Sequence, residues 1–144
     1  MTQIPIRAYR AEDFAAVDAL WREAFPDDPP WNAAAVSIPA KLAVQPELLL
    51  VADDGGQVVG TIMAGYDGHR GWLYAAAVRA SHQRRGIGTA LVRAAEERLR
   101  ARGCHKINLQ VRASSRAVAA FYQGLGYAPE ERLSLGKRLR ATPE

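Results

Sequence analysis

The chain predicts an α/β fold: a mixed sheet with helices on both faces, in the order βααβββαβαββ. Three observations carry that reading. Apolar segments over 48–52, 57–66 and 72–78 are joined by Asp53-Asp54-Gly55-Gly56 and Asp67-Gly68, the punctuation of an antiparallel meander. Helical periodicity flanks the meander, with Phe14, Val17, Leu20, Trp21 and Ala24 on one face before it and Ala90, Leu91, Ala94, Ala95 and Leu99 on one face after it. Ile107, Leu109 and Val111 then alternate with polar residues, the period of a strand with one buried face.

In order along the chain, residues 3–9 read as the first strand and 11–25 as the first helix, stopped by Pro26-Asp27-Asp28-Pro29-Pro30. A second helix covers 32–44 and carries Pro39, which removes one intrahelical hydrogen bond. After the meander a third helix runs over 89–102, with Glu96 and Arg100 four apart and Gly103 as its left-handed cap. A strand over 106–112, a short helix over 115–123 and two closing strands over 127–129 and 132–139 complete the order. No repeat or low-complexity segment interrupts it.

At 144 residues the chain is read as one domain, 1–144, large enough to bury a core. Cys104 is its only cysteine, so no internal disulfide forms and nothing asks for an oxidising compartment. The first residues lack a secretion-signal pattern and no apolar run reaches membrane-spanning length, so a cytoplasmic protein with no membrane partner is expected. The formal net charge of +4 conceals a split: residues 1–69 carry 4 basic and 10 acidic side chains, residues 70–144 carry 15 and 5. A basic half suits a polyanionic ligand and an acidic half a cationic one. Nucleic acid is disfavoured as that polyanion, because Glu96 and Glu97 interrupt the basic residues and no aromatic–basic platform lies on a strand.

Gln83-Arg84-Arg85-Gly86-Ile87-Gly88-Thr89 joins the strand ending at Val78 to the third helix. Glycines there let backbone N–H groups approach a ligand, and the helix N-terminus adds unpaired donors and about half a positive charge. A P-loop is excluded because no lysine follows the glycines, and a dinucleotide fingerprint because Leu91 stands where its third glycine belongs. What remains is a diphosphate cradle of another kind.

Gln83-Arg84-Arg85-Gly86-Ile87-Gly88 resembles the acetyl-CoA motif Q/R-x-x-G-x-G/A of the GCN5-related N-acetyltransferase (GNAT) superfamily. Ala120-Phe121-Tyr122-Gln123-Gly124-Leu125-Gly126-Tyr127, about 35 residues on, is similar to that family's late motif. The segments 65–71 and 133–139 look like those of bacterial YpeA-type acetyltransferases. The resemblance runs nearly end to end and implies the GNAT fold, with acetyl-CoA as cosubstrate and no metal. It implies that pantetheine lies against the backbone of Ala76, Ala77 and Val78, and that the diphosphate rests on Arg84, Arg85, Gly86, Ile87, Gly88 and Thr89. Arg79, Arg84 and Arg85 add exposed ion pairs, each contributing below about 1 kcal/mol. A family asparagine that contacts the cofactor is Ser115 here, which retains the ability to cap the late helix.

The resemblance further implies that Tyr122 protonates the departing CoA sulfur. The family's carboxylate base is missing: Gln110 holds one of its positions and Trp72 to Ala77 offer none. Asp67 and His69 are stand-ins that read equally as turn residues. At pH 7.4 a lysine amine is about 0.1% neutral and an α-amine about 30%, so a base-poor enzyme suits a low-pKa amine. In this fold the acceptor approaches past Asp27, Asp28, Trp31 and Asn32, where acid groups and an aromatic face would hold an ammonium; Tyr74 would line the acetyl cavity. His82 and His105 receive no role, and Cys104 is read as buried and inert. The expected activity is direct transfer of acetyl from acetyl-CoA to a primary amine, either a small molecule or a protein N-terminus or lysine. The alternative is a non-catalytic acetyl-CoA sensor. A homodimer is compatible with the sequence.

Overall fold

Five strands form one sheet in the order of the chain, β1 (Ile6–Ala8), β2 (Leu49–Asp54), β3 (Gln57–Tyr66), β4 (Gly71–Val78) and β5 (Ile107–Leu109). They belong to a computed structural model that describes residues 3–139. β1 to β4 are antiparallel neighbours, with tight turns joining β2 to β3 and β3 to β4, and the passage through a helix brings β5 back parallel to β4. The helices are α1 (Phe14–Ala24), α2 (Ala34–Val44), α3 (Ile87–Ala101) and α4 (Arg116–Gly124). Two compact units divide the chain, Met1–Leu109 with the sheet and the first three helices, and Gln110–Glu144 with α4.

Strand alternation sorts the first unit's core into two layers. Leu49, Val51 and Met63 pack with Val17, Leu20 and Trp21 of α1 and Ile38 of α2. Gly60 points the other way, where a Cβ would lie 2.9 Å from Leu91 Cδ1, so α3 covers the opposite face. Gly71 makes a second close approach: a Cβ there would come within 2.8 Å of Cys104 Sγ. Pro39 is accommodated inside α2, as expected.

One end of β3 outruns β2, whose ladder stops at Leu49 opposite Met63. The last turn of α2 replaces the missing strand. Lys41 Nζ donates to the Ala64 carbonyl, while the Gln45 amide donates to Tyr66 O at 2.8 Å and accepts from Tyr66 N at 3.1 Å. A side-chain carboxamide thus reproduces a backbone peptide, and the Ala64 and Tyr66 backbone groups find partners where β2 has ended. Burial, aided by the charge of Arg102, lowers the Lys41 pKa.

Several expectations are corrected. The closing strands over 127–129 and 132–139 do not form, and Leu133, Leu135 and Leu139 are 90%, 89% and 92% exposed. Their alternation is a strand pattern, but a strand exists only where a neighbour takes its hydrogen bonds. The strand expected over 106–112 keeps only Ile107–Leu109, the stretch paired with Gly71–Leu73. The first strand shrinks to Ile6–Ala8 and the first helix starts at Phe14 after a 3-10 turn over Ala11–Asp13. On α3, Val92 rather than Ala90 is buried, and Arg100 pairs with Glu97 rather than serving Glu96, which lies 3.8 Å from Arg93. Ala24 is exposed, past the last core-facing turn of α1. Cys104 is only half-buried and its thiol lies 3.3 Å from the Lys106 carbonyl.

Candidate functional site

Beyond Leu73 the β4 strand has no strand on its β5 side among the described residues, and there its backbone departs from regular geometry. Met63 pairs with Tyr74 but Thr61 with Ala77, so Ala75 and Ala76 together face one residue of β3. This is a β-bulge, and Ala75 adopts φ +51°, a left-handed conformation that costs an L-residue about 1–2 kcal/mol. Thr61 compensates. Fully buried, it donates its hydroxyl hydrogen to Ala75 O at 2.9 Å and accepts Trp21 Nε1–H at 2.9 Å. The backbone of Ala76, Ala77 and Val78 therefore follows a pinned irregularity, in a stretch of β4 past its last pairing with β5.

From Val78 the chain turns through a 3-10 segment, Ala80–His82, into the glycine-rich loop. The Gln83 side-chain amide reaches back to Val78 O at 3.2 Å. His82 is braced on both ring nitrogens, with Nδ1 2.7 Å from Ser81 Oγ and Nε2 3.0 Å from Asp54 Oδ2. Arg84 has φ +65° and Gly86 φ +79°, two left-handed residues in one short loop. Gln83 before them is extended, with φ −70° and ψ 159°. Gly86 is the N-cap of α3 and supplies no side-chain cap, so the helix opens with Ile87, Gly88 and Thr89 two residues earlier than periodicity indicated. No side-chain capping hydrogen bond from the N-cap reaches the first-turn amides. Arg84, Arg85 and Gly86 are exposed around this mouth.

On the first unit, Tyr74 of β4 is half-exposed, and burial together with the charge of Asp67 raises its phenol pKa. Trp31 and Asn32 lie in a 3-10 turn, Pro30–Asn32, with Trp31 partly exposed and Asn32 Nδ2 3.5 Å from Asp28 Oδ2. Asp67 Oδ1 accepts the backbone N–H groups of His69 and Arg70 at 2.7 Å each. Those bonds hold its carboxyl below the ordinary range and make it a turn-former and a poor base.

In the second unit Tyr122 is 7% exposed and packed edge-on against Phe121 and Tyr127, with centroids 5.0 and 5.6 Å away. Burial raises its pKa, which keeps the phenol protonated. Ser115 is the N-cap of α4 in position only, because its side chain makes no capping bond. Gln110 Nε2 donates to the Ser134 hydroxyl. Among the described residues no group of three or more His, Cys, Asp or Glu could hold a metal.

The sequence profile of the family described as Acetyltransferase (GNAT) matches residues 13–127. An acetyltransferase of Pectobacterium atrosepticum is 45% identical over 134 residues, covering 93% of this chain and 94% of that one. The chain belongs to the GNAT family of acetyltransferases. Another relative, an acetyltransferase of Sodalis glossinidius, is 47% identical over 135 residues, with 93% and 94% covered. The fold is that of solved GNAT structures. Ard1 from Thermoplasma volcanium superposes with a TM-score of 0.80 at 23% identity, over 88% of this chain and 84% of that one. An aminoglycoside N-acetyltransferase in complex with CoA superposes with a TM-score of 0.76 at 17% identity, over 97% of each. As a GNAT enzyme the chain is an acetyl-CoA-dependent acetyltransferase.

Four residues that hold the loop before α3 and the β4 bulge carried little or no signal in the sequence. His82 and Asp54 brace the cradle loop although 28 residues separate them. Periodicity places Trp21 in the core face of α1 and gives Thr61 no role, yet together they hold the β4 bulge. A threonine inside a run of Val, Ile and Met was the only available clue to the second pair.

Proposed function

We propose that the chain moves acetyl from acetyl-CoA directly to a primary amine, a small molecule or a protein N-terminus or lysine. The observation that carries the reading is the opening of α3, where left-handed Arg84 and Gly86 lead into a helix start without a side-chain cap. Two linked phosphates meet there a helix dipole worth about 0.3–2 kcal/mol and charge-assisted bonds from the amides of Arg84 to Thr89. Pantetheine then follows Ala76, Ala77 and Val78, and its acyl end points toward Tyr74 and the bulge.

The amine nitrogen attacks the thioester carbonyl carbon, the C–S bond breaks, and the sulfur leaves with a proton from the Tyr122 phenol. The support for Tyr122 is its motif and its burial, which preserves the proton until a thiolate of pKa near 8.5 demands it. With Asp67 committed to its turn, the amine loses its proton to water, which favours acceptors of low pKa. Trp31, Asn32 and Tyr74 are proposed acceptor contacts, and Ser115 a contact to the cofactor through its backbone. We read 1–144 as one catalytic domain in the cytoplasm.

Gln110, at a position where the family resemblance implies a carboxylate in some members, favours a second reading as a sensor that binds acetyl-CoA without turnover. Calorimetry with acetyl-CoA combined with thiol release across an amine panel tests both. Binding with release of CoA thiol supports the transferase, binding without release the sensor, and no binding overturns both.

A further inference from the structure

We infer that the hollow over Gly65, walled by Lys41, Gln45 and Tyr74, receives a carboxylate of the acceptor, so that the preferred amines carry a negative group about 6–7 Å from the reacting nitrogen. This rests on the transferase reading above, which sets the acyl end beside Tyr74, and it names the class of acceptor. Of the strand glycines Gly60, Gly65 and Gly71, packing explains the first and the last. A Cβ at Gly60 would lie 2.9 Å from Leu91, and one at Gly71 would lie 2.8 Å from Cys104. At Gly65 it would make ordinary contacts, 3.6 Å from Lys41 Nζ and 3.9 Å from Gln45 Oε1 and Tyr74 Cε2. The φ of Gly65 is not left-handed either. A glycine required by neither packing nor backbone costs its strand about 0.5–1 kcal/mol against alanine, and its use is to let another molecule come close.

What the hollow offers is positive charge. Lys41 is half-buried, and its Nζ donates to Ala64 O and, at 3.3 Å, to Gln45 Oε1, both neutral acceptors. Glu47, the nearest acid along the chain, is bonded to Arg102 instead. Burial, and then the charge of Arg102, lower the Lys41 pKa, so an anion docked on Nζ would gain a charge-assisted bond and offset both effects. Asp67 is the opposing charge on the Tyr74 side, but its Oδ1 is held by the amides of His69 and Arg70. Gly65 pairs with Trp72 and Met63 with Tyr74, so the hollow lies two residues along the strands from Tyr74, about 6–7 Å. An α-carboxylate, whose carbon is about 2.5 Å from its amine, does not span that distance, whereas a side-chain carboxylate one residue on does.

The test measures thiol release at saturating acetyl-CoA for amines paired as carboxylate and carboxamide, headed by C-terminally amidated Ala-Asp and Ala-Asn, whose α-amines are closely matched. The wild type is expected to favour the acid by about tenfold or more in kcat/KM, the worth of one charge-assisted hydrogen bond. Lys41→Gln, which keeps a donor for Ala64 O, should bring the ratio near one by raising KM for the acid. Lys41→Arg should retain most of the preference. Gly65→Ala, which the contacts admit, should fill the hollow and cut the ratio by at least about threefold. A purely structural Lys41 would slow both members alike and leave the ratio unchanged in Lys41→Gln. That outcome, or a wild type that favours the acid in no pair, overturns the inference and leaves the transferase reading intact. Acetyl-CoA binding without thiol release from any amine overturns the transferase reading itself. Should Lys41→Gln not fold, Gly65→Ala decides: a ratio reduced by at least about threefold supports the inference, and an unchanged one overturns it.

Discussion

His82 Nε2 lies 3.0 Å from Asp54 Oδ2, so the loop before α3 is tied to the far end of β2 by a pair that sequence separation conceals. The tie matters because the loop stores strain at Arg84, whose φ is +65°. A loop held in a sparsely populated conformation needs external bonds to stay there when no ligand is present. His82→Phe should weaken acetyl-CoA binding by about 3–10-fold, the loss of one partly exposed hydrogen bond, while leaving the saturated transfer rate unchanged. His82→Asn, which keeps a donor, should lose less. A double-mutant cycle with Asp54→Ala read by calorimetry checks the pair, and full additivity would show that the two residues act independently.

Gly86 and Arg84 should respond differently to substitution because their side chains face different constraints. A Cβ at Gly86 meets nothing within 4 Å, so the penalty of Gly86→Val comes entirely from φ +79° in a β-branched residue. Reshaping the first turn moves the amides, and Gly86→Val should abolish measurable acetyl-CoA binding. Gly86→Asn, a residue that tolerates the left-handed region, should retain most of it. Arg84→Ala keeps the strained backbone and loses an exposed charge, and should weaken binding by less than about tenfold. Arg84→Gly should relieve about 1–2 kcal/mol of strain and raise the melting temperature. Calorimetry and thermal unfolding separate these outcomes; equal affinity losses in Gly86→Val and Arg84→Ala would contradict the backbone-dominated cradle.

Acid stability should report on Asp13, which is 5% exposed and accepts Arg7 Nη1 and Nη2 at 2.8 and 2.9 Å and Arg10 N at 2.7 Å. Chiefly the Arg7 hydrogen bond holds its pKa below the ordinary 3.8. The sign follows from linkage: the folded state binds this proton less readily than the unfolded one. The stability Asp13 contributes is therefore complete above about pH 5 and fades as pH falls through its folded pKa. Asp13→Asn should cost about 1–3 kcal/mol at pH 7, moderated because Arg7 keeps Asp53 at 3.0 Å, and should flatten unfolding free energy against pH below 4. Urea titrations from pH 2 to 7 measure both.

Legibility followed the range over which each signal acts. The meander was readable because β3 is bounded by turn residues at both ends and its partners are adjacent in sequence. The junction of loop and α3 was readable because its glycines and helix start lie within seven residues, 83–89. The bulge was not, since Ala75 carries no mark of left-handed geometry and its support comes from Thr61 and Trp21, 14 and 54 residues away. Leu133, Leu135 and Leu139 show the converse failure, a period-two pattern without a paired edge. Lys41 and Gln45 show a third, where polar side chains on a helix complete a sheet. Local patterns predict elements; the devices that finish a site join distant residues.

Tyr122 yields the most direct test of chemistry. Its burial raises the phenol above the ordinary 10.0, so the acid form is retained through and beyond the neutral range. A proton donor of that kind contributes about 10²–10⁴-fold to rate, and only when the leaving thiolate needs it. Tyr122→Phe removes the hydroxyl but keeps the edge contacts with Phe121 and Tyr127, so folding and acetyl-CoA affinity should be unchanged within about twofold while turnover falls by that factor. The pH dependence adds a second signature. Wild-type turnover should persist past the pH at which an ordinary phenol ionises and decline only beyond it, and the variant should lack that alkaline limb. Release of CoA thiol, followed at saturating acetyl-CoA from pH 6 to 11, reads both effects. Wild-type turnover in Tyr122→Phe would remove the phenol from the reaction and leave proton delivery to solvent.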